Sequence, residues 1–285
     1  MGLGAGLLLL AACAAAAEAI RPGDAPAQRV VSMSPSLTRI LVAIGARGAL
    51  VGVDDFSARQ EPSVAGLARV GGLYAPSLEA VVALHPDLVA LVPSVEQREF
   101  RARLEAFGLP VLVLDPTGFD EVLETIRVLG SRVGRAQAAA DRIEAIRRTR
   151  DAVARATRER PRPRTVLVLQ REPLFVVGAG SFLDDMLAVA GARNLGAELG
   201  EPWPRTSLEW LVAAQPELIL DSDSDPEPAA AFWARWPSVP AVAAGRVVSL
   251  AAAEVTLPGP DLDRALVTLA RAIHGEAFAL AAPTP

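Results

Sequence analysis

With 285 residues the chain exceeds the ~100 to 200 of an ordinary domain, and a content of 51% hydrophobic against 21% charged residues argues against intrinsic disorder. The net charge of −5 is spread over interspersed acids and bases, which leaves no electrostatic footprint for nucleic acid. One Cys and two His exclude a disulfide framework, an iron–sulfur cluster and any multi-Cys zinc site.

In chain order, the first element is an address. Residues Gly2 to Ala17 carry no charge and include the run Leu7 to Leu10, too short for the ~20 residues of a membrane span. Leu10-Ala11-Ala12-Cys13 then matches a bacterial lipobox, in which the cysteine is lipidated and becomes the mature N-terminus. The alternative is an exported chain cut at an Ala-x-Ala site near Ala17 or Ala19. No basic residue precedes the run; the first is Arg21.

Short apolar runs follow at Arg29 to Met33, Leu50 to Val53, Leu88 to Val92 and Val111 to Leu114, separated by helix-like periodic stretches, which is βαβ alternation. A second series occupies Thr165 to Leu169, Leu174 to Val177, Glu217 to Asp221 and Arg246 to Leu250. Each series reads as its own α/β sheet. SLEAVVALHPDLVAL from Ser77 aligns without gaps to SLEWLVAAQPELILD from Ser207, identical at 7 of 15 positions, and Gly45-Ala46-Arg47 echoes Gly191-Ala192-Arg193. Between the halves, Gly134 to Glu159 is rich in helix formers and closes on Pro161-Arg162-Pro163, which predicts one long helix spanning nearly ~40 Å as a stiff strut. The predicted organisation is a signal peptide over residues 1–19, an α/β lobe over 20–133, the connecting helix over 134–160 and a second α/β lobe over 161–285. Each lobe carries a mainly parallel sheet.

Several signals resemble chemistry without completing it. Gly178-Ala179-Gly180-Ser181 lacks the third glycine of a dinucleotide loop, since position 183 is Leu. Asp221, Asp223 and Asp225 start like a calcium loop, but the sixth residue is Pro226 and the twelfth Phe232, so a solvated loop near the cleft mouth is expected. His85 and His274 stand at helix ends, where a cation suits the dipole. Phe232, Trp233 and Trp236 form a helical apolar face of structural type. No GxSxG elbow and no HExxH occurs, so no enzyme machinery is visible.

RVVSMSPSLTRILVAIGARGALVGV, VGGLYAPSLEAVVALHPDLV, EPWPRTSLEWLVAAQPELIL and PAVAAGRVVSL, in that order, resemble the helical-backbone class of ABC-transporter substrate-binding proteins, which includes receptors for vitamin B12, haem and ferric siderophores. The resemblance runs from Arg29 to about Ile273. It implies two α/β lobes joined by one rigid helix, a ligand in the cleft and little closure on binding. It also implies a non-enzymatic monomer in the periplasm or on the outer face of the cytoplasmic membrane, delivering a small molecule to a permease dimer with its ATPase.

Within the class the aromatic pattern is most similar to the cobalamin receptors. Phe56 matches a first-lobe rim aromatic, and Phe175 and Trp203 match second-lobe ring contacts. Leu73 stands where the family has an aromatic, with Tyr74 beside it, so one of the two should face the cleft. Asp261 stands where an Arg is often found, and Leu257 near a polar contact of some cobalamin receptors. The resemblance thus implies cobalamin or a related corrinoid as transported ligand, with no resident cofactor or metal. Haem, with Tyr74 as axial oxygen because it is the only Tyr, or a ferric siderophore remains open, as does an α/β enzyme acting on a nucleotide or sugar. Haem carboxylates and siderophores favour a basic cleft, which the Asp221 to Asp225 loop does not supply. Glu79 and Glu209 occupy equivalent places in the two repeats, and in the family such glutamates dock against Arg residues of the permease. On their own chemistry Thr206 and Glu209 read as a capping box.

Overall fold

The computed structural model describes residues 25–94 and 98–280. Val30–Ser32 (β1), Pro35–Ala43 (α1), Leu50–Val53 (β2), Asp55–Gln60 (α2), Ala68–Arg69 (β3), Leu78–Ala83 (α3), Leu88–Leu91 (β4), Arg98–Ala106 (α4) and Val111–Val113 (β5) build the first lobe. Its five strands lie in the order β3-β2-β1-β4-β5, all parallel. A parallel sheet is covered on both faces, which is why β1 and β4 are buried at every position instead of alternating.

Two helices, Phe119–Arg132 (α5) and Ala136–Thr157 (α6), lead to the second lobe. That lobe comprises Arg164–Gln170 (β6), Phe175–Val176 (β7), Phe182–Val189 (α7), Arg193–Asn194 (β8), Leu208–Ala214 (α8), Leu218–Asp221 (β9), Ala229–Trp233 (α9), Pro240–Ala243 (α10), Val247–Ser249 (β10), Ala252–Val255 (α11) and Leu262–His274 (α12). Its sheet runs β10-β9-β6-β7, with β8 also paired to β6. All its pairs are parallel except β6 with β7, which is antiparallel. Two sheets, each wrapped in helices, are the two-lobe α/β architecture that the strand series predicts.

The long helix is shorter than its sequence run and is not free-standing. It begins at Ala136 because Gly134 turns the chain at φ +68°, with no room for a Cβ beside Pro26. Its 22 residues span about 33 Å, and it packs against α5 and α12. One buried apolar cluster joins Leu37 of the first lobe, Ile126 of α5, Ile146 of α6 and Leu187 and Leu266 of the second lobe. The two sheets therefore share one buried apolar core, and close-packed interiors transmit force.

The repeat is copied down to single hydrogen bonds. The Ser77 hydroxyl accepts from Ala80 N at 3.1 Å and the Ser207 hydroxyl from Trp210 N at 3.2 Å. The equivalent residues His85 and Gln215 both adopt left-handed backbone, φ +44° and +48°, just before Pro86 and Pro216. Arg29 Nη2 donates to Leu84 O and Arg164 Nη2 to Ala214 O, each at 2.6 Å, so each copy neutralises its helix end with the arginine that opens the neighbouring strand. Gly45 and Gly191 end their helices at φ +74° and +85°. The cap of α8 is therefore Ser207 and not Thr206. The residue three places on is Trp210, so Glu209 lies at the second helical position and no capping box forms.

Candidate functional site

The carboxyl ends of the first sheet carry a string of hydroxyls. Thr38 Oγ1 donates to Ser32 Oγ at 2.8 Å and lies 2.9 Å from Ser57 Oγ, while the Ser34 and Ser36 hydroxyls are 2.8 Å apart. Asp54 ends this string. Its carboxylate takes the Ser57 hydroxyl and the backbone N–H groups of Phe56 (2.9 Å) and Ser57 (3.0 Å), capping α2. Burial pushes the Asp54 carboxyl above its ordinary range against these hydrogen bonds. The cap fixes Phe56 at the rim, where it is 45% exposed with the Arg59 guanidinium over its ring at 4.5 Å.

Next to it is the loop after β3. Gly71, at φ +87°, bridges Pro76, and a Cβ there would meet Ala75 O at 2.2 Å, so only glycine closes this neck. Leu73 is half-buried and Tyr74 is 80% exposed on the loop. The Cβ position of Gly72 lies 4.0 Å from the Phe56 ring, which brings Phe56 to the same loop.

On the second lobe, the proline-flanked Trp203 sits in an edge segment laid antiparallel to β7. Thr206 N donates to Leu174 O (2.9 Å), Val176 N to Pro204 O (3.2 Å) and Gly178 N to Pro202 O (2.9 Å), and Phe175 bridges Arg205. Prolines suit this place because an edge needs no further donors. Any side chain at Gly178 would strike Glu201 O. The register puts Phe175 and Trp203 on one face of the ribbon. Trp203 sets its edge on Phe182 (5.9 Å, 61°), whose N–H donates across the lobe boundary to Thr117 O at 2.7 Å.

Between the lobes a hollow of about 540 Å³ opens at the carboxyl ends of β4 and β5. Leu91, Pro93, Ser94, Val113, Asp115 and Thr117 form one side, Arg98 and Arg101 of α4 its mouth, and Trp203 the contribution of the second lobe. Of the five residues expected at the ligand, Trp203 alone lines this hollow. Phe56, Leu73 and Tyr74 stand further along the same sheet edge, at the ends of β2 and β3, and Phe175 stands at the end of β6. The sequence reading missed Arg98, Arg101, Asp115 and Thr117. Their signal was available, since all four follow the carboxyl ends of parallel strands, where open α/β sheets bind ligands.

A second hollow, about 530 Å³, lies at the ends of β6 and β9 and has a different character. Here the expected solvated loop is corrected at its start: Asp221 and Ser222 are buried, whereas Ser224, Asp225 and Pro226 are exposed. Asp221 takes the Arg171 guanidinium at 3.0 Å and the Trp233 indole N–H at 2.5 Å, and Arg171 also covers the Phe232 ring at 4.9 Å. Asp221, Asp223 and Asp225 each accept the backbone N–H two residues on, so these carboxylates organise the turn. Among the described residues no group of three or more His, Cys, Asp or Glu is arranged to hold a metal ion.

The other motifs resolve locally. Ser181 of the glycine-rich turn is buried; its hydroxyl accepts from Asp184 N and donates to Gly178 O, so the turn is the cap of α7. His274 binds Ala190 O at 2.9 Å, and burial lowers its pKa, opposing the helix-end cation. His85 is exposed in the left-handed turn after α3. Phe232 and Trp233 are buried and stack with Trp236, as their spacing predicts. Asp261 pairs with Arg39 of the first lobe and Asp263 with Arg142 of α6, tying the lobes together. Glu79 and Glu209 are exposed in the first turns of α3 and α8, and the Ser207 hydroxyl holds the Glu209 carboxyl below its usual range. Cys13 lies outside the described residues. Among those described, no helix is long and apolar enough to cross a membrane.

Two lobes around an open, aromatic-edged gap define a binding protein. The family model for periplasmic binding proteins matches residues 30–253, and the chain belongs to that family. It is 29% identical over 220 residues to the vitamin B12-binding protein of Yersinia pestis (strain Pestoides F), covering 76% of this chain and 78% of that one. The fold is similar to the periplasmic vitamin B12-binding protein BtuF of Vibrio cholerae, with a TM-score of 0.76 and 23% identity over 87% of this chain and 97% of that one. It is also similar to a periplasmic haem-binding protein from Pseudomonas aeruginosa, with a TM-score of 0.74 and 29% identity over 90% and 96% of the two chains.

Proposed function

We propose that this chain is the extracytoplasmic substrate-binding component of an ABC importer and that it carries cobalamin or a related corrinoid, performing no reaction on it. The observation that carries the reading is Trp203, presented by a proline-stiffened edge to a hollow floored by the first sheet. The five strand ends of that sheet span about 19 Å at 4.8 Å per strand. Phe56 and Tyr74 at one end and Trp203 at the other are thus spaced for one broad, flat guest. Burying a few aromatic faces at ~25 cal/mol per Å² offsets the ordering cost of micromolar binding. The similarity to the vitamin B12-binding protein favours the same ligand class.

Haem is the second reading. It is favoured by the similarity to the haem-binding protein and by the exposed Tyr74, whose oxygen is free of packing and available as an axial ligand. On either reading a monomer delivers its ligand to a permease dimer with its ATPase. Exposed Glu79 and Glu209, in matching first turns of matching repeats, suit Arg residues on a two-fold partner. Lipidation of Cys13 would hold the protein at the outer face of the cytoplasmic membrane. Calorimetric titration with cyanocobalamin, hemin and a ferric siderophore panel tests the ligand. One-to-one micromolar or tighter binding of cyanocobalamin is expected, a Soret band lost in Tyr74→Phe would transfer the assignment to haem, and turnover of any substrate would overturn the transport reading.

A further inference from the structure

Resting on the tetrapyrrole reading above, we propose that Arg98 and Arg101 form an anion-reading pair that selects guests bearing an acidic group at the edge of the macrocycle. The two arginines are three residues apart on α4, which puts them on one helix face, and both line the hollow that Trp203 closes; Arg103 of the same helix does not. Arg98 makes no hydrogen bond or ion pair with any described residue, and Arg101 is bonded through Nε to Glu105 at 2.8 Å. The acid nearest them in the lining, Asp115, already accepts the Thr117 hydroxyl at 2.5 Å. Among the described residues the lining thus carries two cations and one anion.

The neighbouring hollow on the second lobe shows how unusual this is. There Arg171 and Arg235 face Glu172, Asp223, Asp225 and Glu227, and both guanidiniums are committed, Arg171 to Asp221 and Arg235 to Glu227. In a chain of net charge −5, the interlobe mouth is a place where cations outnumber anions among the described lining residues and where Arg98 is committed to no described partner. Guanidinium forks match carboxylate and phosphate geometry, and a cationic mouth raises the local concentration of anions. A guest seated with its ring on Trp203, Leu91 and Val113 would therefore point its acidic edge outward to α4. Two chemistries satisfy this: the phosphodiester of a complete corrinoid and the propionate carboxylates of a haem.

Paired probes separate these sources. Cyanocobalamin is compared with dicyanocobinamide, which lacks the phosphodiester, and hemin with its dimethyl ester, by tryptophan quenching in low salt and in about 0.5 M salt. In Arg98→Gln/Arg101→Gln the acid-bearing member of the pair that binds is expected to weaken roughly ten- to thirtyfold in low salt, with a smaller loss in high salt, while its counterpart without the acidic group stays within about twofold. Arg98→Lys/Arg101→Lys should recover part of the loss. A loss confined to cyanocobalamin assigns the phosphodiester, and one confined to hemin the carboxylates. Equal losses on both members of a pair, or none, overturn the arginine pair and leave the tetrapyrrole reading standing. Failure of the unaltered protein to bind any of the four overturns that reading and the pair with it. Unchanged urea midpoints in the variants exclude a folding effect.

Discussion

The two lobes share a scaffold and differ where it matters. Ser77 and Ser207 cap matching helices, His85 and Gln215 end them in the same left-handed turn, and Arg29 and Arg164 close the same carbonyls. At the carboxyl ends of the strands the likeness stops. The first lobe leaves its edge open, with a string of hydroxyls, the exposed Phe56 and Tyr74, and an Arg98 that has no partner among the described residues. The second lobe spends its edge on itself, through the buried Arg171–Asp221 pair roofed by Phe232 and Trp233, and sends out Trp203. The repeat keeps the groups that fold each half and varies those at the carboxyl ends of the strands.

That contrast is sharpened most by the pair of glutamates, which the repeat preserved although neither is buried. Reversing both charges, Glu79→Arg with Glu209→Arg, should abolish uptake in cells while ligand affinity in solution stays unchanged. Retained transport would return both residues to plain helix surface. A large effect on stability is expected from the closed edge. Arg171 and Asp221 are nearly inaccessible, so Arg171→Met leaves an uncompensated buried carboxylate and should cost about 3 to 5 kcal/mol in urea unfolding. Arg101→Ala, which removes an exposed pair to Glu105, should cost less than ~1 kcal/mol in the same assay. The caps of the two repeats set an effect of similar, small size. Ser77→Ala and Ser207→Ala should each cost about 1 kcal/mol, and unequal costs would mean that the two caps are not equivalent.

Much of the scaffold was legible in the residues. Runs of Val, Leu and Ile bounded by turns located eight strands, because a strand buried on both faces must be apolar throughout. β3 and β8 were not legible, since two paired residues such as Ala68–Arg69 or Arg193–Asn194 leave no periodicity. Nor was the antiparallel direction of β7, which is decided by the tight return after Gln170 and not by Phe175–Val176. At the site, Trp203 was singled out by the resemblance, and the structure places it in the lining of the hollow. Arg98 and Arg101 were passed over because arginines on a surface helix are ordinary; their place after a parallel strand marked the region, and the hollow beneath them singles them out. Asp221 was misplaced as solvated for a related reason. Its burial depends on Arg171, fifty residues away, and no local pattern records such a partner.

The claim at the centre is that a flat guest lies between the lobes against Trp203. Tryptophan emission of the unaltered protein and of Trp203→Phe, titrated with cyanocobalamin, addresses it most directly. Saturable one-to-one quenching in the unaltered protein, with most of its amplitude and about tenfold of affinity lost in the variant, is the predicted result. Quenching of the same amplitude and midpoint in both proteins would place the guest elsewhere.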